Sequence, residues 1–117
     1  EKILNEYGDE YKIVTAPGPS EINDSKNINA LALLDNGRAL DISQLTSLIK
    51  GSSFVIANDT GPAHIAAHVG AKGLTLFGKH TSAYKVNIER ENFRAIEVSD
   101  LNNLSAGKVF ERLTNLL

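Results

Sequence analysis

Cysteine, methionine and tryptophan are all absent from this sequence of 117 residues. Without cysteine there is no disulfide framework, no thiolate nucleophile and no Cys-based zinc or iron–sulfur site. Lysine and arginine never form a run, and the formal net charge is −2. A basic surface for nucleic acid or for an anionic membrane is therefore not expected. Aromatic residues make up 6% of the chain and are scattered, which leaves no stacking platform for bases. No apolar run approaches the roughly 18–20 residues of a membrane-spanning helix, and no signal peptide is recognisable. There is also no Asp-x-Asp triplet, so a metal-bridged diphosphate is not indicated and no cofactor is expected.

What remains is an ordinary globular composition, 42% apolar and 22% charged. The length suits one folded domain over residues 1–117. The start at Glu1, with no Met anywhere, fits a piece of a larger protein.

The apolar pattern predicts alternating strands and helices. Residues 3–7 read as a helix tail stopped by Gly8, and residues 11–15 as a β-rich strand broken by Ala16-Pro17-Gly18-Pro19. A polar stretch from Ser20 to Lys26 can form a short helix carrying Glu21. Residues 28–34 read as a buried strand, with Leu31, Leu33 and Leu34 in the core, and Asp35-Asn36-Gly37 as a turn. Asp41 with Gln44 three residues on gives a capping-box pattern. Ile42, Leu45, Leu48 and Ile49 then share a helix face, and Gly51 supplies the stop. Residues 54–57 are a continuous apolar strand of the kind a covered parallel sheet requires, and residues 74–77 read as another strand closed by Gly78. Residues 93–98 read as a last strand. Ser105 can cap a final helix that turns Val109, Phe110, Leu113, Leu116 and Leu117 inward. The expected fold is an open parallel α/β sheet, Rossmann-like, with helices on both faces and ligands bound at the carboxyl ends of the strands.

Most of the chemistry lies between Phe54 and Val69. The strand delivers Asp59 and Thr60 to the carboxyl edge of the sheet. Gly61 allows close backbone approach, and Pro62 suits the first helical turn, where its missing N–H costs nothing. A helix that starts there aims its unbonded N–H groups and positive dipole end into the crevice, as an anion site does. His64, in the first turn, can add a donor. A carboxylate beside a diphosphate is repulsive at short range. Asp59 is therefore better suited to accept hydrogen bonds from neutral hydroxyls, such as those of a sugar, or from the helix itself. Anion donors and a hydroxyl acceptor side by side suit a sugar diphosphate.

The block Asp59-Thr60-Gly61-Pro62-Ala63-His64-Ile65-Ala66-Ala67, followed by Gly70 and Leu76-Phe77-Gly78, resembles the signature of glycosyltransferase family 9. The stretches 42–49 and 53–56 and the Gly18-Pro19-Ser20-Glu21 loop fit the same family, which contains the ADP-heptose:lipopolysaccharide heptosyltransferases. The resemblance implies the C-terminal, donor-binding half of a GT-B fold. Asp59, Thr60, Gly61, Pro62 and His64 would then hold the sugar and diphosphate, with Glu21 and Leu40 near the nucleoside. It implies an ADP-sugar donor, a lipopolysaccharide core or lipid A precursor as acceptor, and work in the cytoplasm with peripheral membrane association. No catalytic residue is expected in this chain, because the family's base is a carboxylate of the N-terminal domain. Two positions depart from the family: Lys72 stands where Pro is usual, and Lys79-His80 replaces Pro-Thr after Gly78.

Plainer readings stand beside these. Asp59 and Thr60 can each be only helix caps, and Glu21, Lys79 and His80 can be solvated loop residues. His64 and His68 share a helix face, but the Glu of a zinc helix is replaced by Ile65, so no metal site is expected. Two other functions compete. One is half of another GT-B enzyme, such as a UDP-sugar epimerase. The other is a receiver-like signalling domain, although Thr15-Ala16-Pro17 follows the first strand where receivers carry an acidic pair.

Overall fold

The structure, a computed structural model, describes residues 2–58, 60–78 and 89–117. Asp59, Lys79 and His80 lie outside the described residues. The chain forms two compact units, Glu1–Leu45 and Thr46–Leu117.

The first unit holds α1 (Lys2–Tyr7), β1 (Val14–Thr15), α2 (Ile22–Ser25), β2 (Leu31–Ala32) and the start of α3 (Ile42–Lys50). Strands β1 and β2 pair in parallel, Val14 opposite Leu31 and Thr15 opposite Ala32. Both strands are shorter than their apolar runs suggest. Nor is Leu31 a core residue: it is 57% exposed, while Leu33 and Leu34 are half-buried. A hydrophobic run reports a preference for burial, whereas a strand needs a partner in register, and only two residues of each run are so paired, with Leu33 N–H adding one more bond to Thr15 O at 2.8 Å.

Beyond β2 the chain reverses at Asp35–Arg38, whose backbones exchange hydrogen bonds of 2.8 and 3.0 Å. Asn36 (φ 51°) and Gly37 (φ 80°) both have positive φ, as the mirror-image turns that join strand pairs demand. The predicted capping box follows. Gln44 N–H donates to Asp41 Oδ1 at 2.7 Å, and Asp41 N–H donates to Gln44 Oε1 at 2.9 Å. Ile42, expected on the inward face of α3, is 77% exposed, while Ile49 is buried. Ile42 is the first residue of the helix, so nothing upstream in the helix shields it.

The second unit is built on three parallel strands, β3 (Val55–Asn58), β4 (Gly73–Phe77) and β5 (Phe93–Glu97), in the order β3-β4-β5. Helix α4 (Gly61–His68) packs on β3. Ala63, Ala66 and Ala67 are its buried residues, and their small side chains let helix and sheet approach closely. The helix ends in a Schellman motif: Ala71 N–H reaches Ala66 O at 2.9 Å and Gly70 N–H reaches Ala67 O at 3.4 Å. Gly70 supplies the positive φ of 75° that this motif needs.

Leu74, Thr75, Phe77 and Phe93 form the buried centre of the sheet, with Leu113 of α5 (Ala106–Leu116) also buried. Gly73 stands opposite Phe93. A Cβ there would collide with Val55 O and lie 2.7 Å from Phe93 Cε1, so the ring occupies the space a side chain would take. A 3₁₀ turn (Leu101–Asn103), held by Asp100 Oδ1 accepting from Asn102 N–H at 3.0 Å, precedes α5. Ser105 caps α5 by accepting from Lys108 N–H at 3.1 Å. Within α5, Leu113 is buried, Leu116 half-buried, and Leu117, expected inward, is 37% exposed at the frayed end. Parallel strands alternating with helices make this a Rossmann-like α/β fold, as the pattern predicts. Among the described residues no helix is long and apolar enough to cross a membrane.

Candidate functional site

In a parallel sheet every strand presents its carboxyl end at the same edge, and loops leaving that edge form the usual ligand crevice. In the second unit the segments at this edge are Thr60–His64 after β3, Gly78 after β4, and Val98-Ser99 after β5. An open depression lined by Gly78, Glu97, Val98 and Ser99 lies there. Sequence reasoning did not single out the last three; their place directly at a strand's carboxyl end is the signal that could have found them.

The start of α4 is the best-defined part of the site. Thr60 has extended backbone (φ −143°, ψ −179°) and occupies the N-cap position, yet its side chain makes no capping bond. Its hydroxyl turns back to Asn58 O at 3.4 Å, and its N–H donates to the same carbonyl at 2.8 Å. The reading of Thr60 as a mere side-chain cap therefore fails on geometry.

A helix leaves four N–H positions without intrahelical partners. Here Thr60 N–H is bonded to Asn58 O, Pro62 has none, and Ala63 N–H shares the Thr60 carbonyl with His64 N–H, at 3.1 and 3.3 Å. Only the Gly61 N–H is left without a partner among the described residues. The sequence suggests a cluster of donors; among the described residues one N–H, that of Gly61, has no partner at the positive end of the helix dipole. Thr60, Gly61 and His64 are exposed and Pro62 is half-buried, so a ligand can reach them. Gly61 has open space where a Cβ would stand, so the site requires no glycine there on steric grounds within the chain itself.

Glu21 and Leu40 belong to the first unit. Glu21 precedes α2, and its Oε1 accepts from Gly18 N–H at 3.1 Å while its own N–H donates to Gly18 O at 3.0 Å. This ring closes the Gly18–Glu21 loop at the carboxyl end of β1, with Glu21 exposed. A Cβ at Gly18 would sit 2.9 Å from Glu21 Oε1, so glycine there makes room for the carboxylate. Leu40 is half-buried and immediately precedes the capping residue Asp41. From that position an apolar side chain typically staples to the fifth residue on, here Leu45.

Among the described residues no group of three His, Asp or Glu side chains is placed to hold a metal ion.

The profile of Glycosyltransferase family 9 (heptosyltransferase) matches residues 25–111. Searches of curated proteins and of solved structures give no significant match. The family match covers most of the chain and spans the turn from β3 into α4, so the chain belongs to glycosyltransferase family 9.

Proposed function

We propose that this chain is the donor-binding domain of an inverting glycosyltransferase, with an ADP-linked, heptose-like sugar as donor. Its acceptor is a hydroxyl of the lipopolysaccharide inner core or of its lipid A precursor. The observation that carries the reading is the start of α4 at the carboxyl end of β3, where the Thr60 side chain makes no capping bond, inside the segment matched to the family.

The diphosphate is placed at the Gly61 N–H and the positive end of the α4 dipole, with His64 as a further donor. Asp59 accepts from sugar hydroxyls, and Thr60 and Pro62 line the same turn. Glu21 and Leu40 flank the nucleoside. When the acceptor oxygen attacks the anomeric carbon, the bond to the diphosphate breaks and negative charge grows on the departing ADP. The same donors stabilise that charge, so the grip on the donor is also an electrostatic contribution to the rate. The acceptor's proton goes to a carboxylate base in a separate N-terminal domain, and residues 1–117 act as one donor-binding domain beside it. The enzyme works in the cytoplasm, peripherally at the membrane that holds its lipid acceptor.

Calorimetric or NMR titration with ADP, ADP-heptose, UDP and UDP-N-acetylglucosamine tests this. Preferential binding of ADP-heptose, with resonances of Thr60 to His64 shifted, is expected. A preference for UDP-sugars would overturn the ADP-heptose reading in favour of another GT-B chemistry, such as epimerisation.

A further inference from the structure

We propose that Gln44 is a positioning residue for the nucleoside end of the donor site, acting through Leu40; the proposal rests on the placement of Leu40 beside the nucleoside. A helix cap of this type needs a carbonyl or carboxylate oxygen at the third helical residue, and Glu serves as well as Gln. Gln44 does more than cap. Its Oε1 accepts from Asp41 N–H, while its Nε2 donates to Asp35 Oδ2 at 3.0 Å. The second bond contributes nothing to the helix terminus. It reaches back nine residues in sequence and ties the Asp35–Arg38 turn to the start of α3.

The segment 36–40 is therefore a closed loop. One end is fixed by the paired Asp35 and Arg38 backbones, the other by the Asp41–Gln44 box, and the Gln44 amide joins the two. Leu40 sits directly beside the second anchor. A loop held at both ends has fewer conformations to lose when a ligand binds, which is how preorganisation raises affinity. Without the bridge, Leu40 still follows a capped helix, but the turn before it is free to move.

The test separates the bridge from the cap. Gln44→Glu keeps the capping oxygen and replaces the donor to Asp35 with a second carboxylate. Asp35→Asn combined with Gln44→Glu restores a bridge with donor and acceptor exchanged. In calorimetric titrations of the chain, Gln44→Glu is expected to raise the Kd for ADP about three- to tenfold, the worth of one net hydrogen bond. The Kd for inorganic pyrophosphate stays within about twofold, since that ligand lacks the nucleoside. The double variant is expected to return the ADP value to within about twofold of the parent. Unchanged ADP binding in Gln44→Glu, with Leu40→Ala weakening it, would overturn the proposal and leave the nucleoside reading standing. If neither variant alters ADP binding, the nucleoside reading itself fails and takes the proposal with it. Equal losses for ADP and pyrophosphate that the double variant does not repair would make Gln44 a contact of the fold alone.

Discussion

Helices α3 and α4 begin in opposite ways. At α3 two side chains turn inward on the helix terminus: Asp41 accepts from Gln44 N–H and Gln44 accepts from Asp41 N–H, while the Gln44 amide donates to Asp35. At α4 the N-cap residue carries a hydroxyl well suited to the same task, yet it points back at Asn58. Two later termini follow the α3 pattern, with Ser105 capping α5 and Asp100 capping the 3₁₀ turn. The contrast separates two uses of one local geometry. A terminus satisfied by its own side chains stabilises the fold, whereas at α4 the cap hydroxyl is turned away and, among the described residues, the Gly61 N–H has no partner.

Substitutions can sharpen or break that contrast. The largest effect on stability is expected from Ala63→Leu. This residue of α4 is fully buried, and overpacking there should cost about 1–3 kcal/mol, read as a lower urea midpoint. If the cost is negligible, the close approach of α4 is not what sets its position. Asp41→Ala should cost about 1 kcal/mol, the usual worth of an N-cap acceptor. Thr60→Ala should change stability by less than about 0.5 kcal/mol, because its hydroxyl does not cap, while weakening ADP binding in the same titration. A Thr60→Ala variant as destabilised as Asp41→Ala would erase the distinction between the two termini. Asp59→Ala is expected to weaken ADP-heptose binding more than ADP binding, and equal losses would remove the sugar-hydroxyl role. The smallest effect belongs to Arg94→Gln. Its 3.3 Å ion pair with Glu89 is solvent-exposed, so thermal melts should move by no more than about 0.5 kcal/mol equivalent.

The features legible in the sequence are those fixed over a few residues. The Asp41/Gln44 box, the Asn36-Gly37 turn, the Gly51 stop and the Pro62 start of α4 all follow from local steric and hydrogen-bonding preferences. The alternation of apolar segments also gave the parallel α/β class. Strand length was not legible. Residues 11–15, alternating and β-rich, and residues 28–34, mostly apolar, both read as full strands, but only two residues of each form a ladder, since pairing is decided by a distant segment. The same holds for Ile42 and Leu31, apolar by type but exposed by position. In the candidate site, the strand-to-helix turn was readable from its residue types. The count of open donors was not, because it depends on how the Thr60 and Asn58 carbonyls share their bonds. Gln44 was visible as a cap. Its tie to Asp35 was not, because that bond joins residues nine apart across a turn.

The bare backbone of Gly73, held between the Val55 carbonyl and the Phe93 ring, makes position 73 a fixed point of inheritance. A side chain at 73 would meet the backbone of β3 as well as the ring, and no change at 93 removes the first clash. Gly73→Ala should therefore be poorly tolerated even beside Phe93→Leu, so that among descendants of this chain glycine persists at 73 whatever stands at 93.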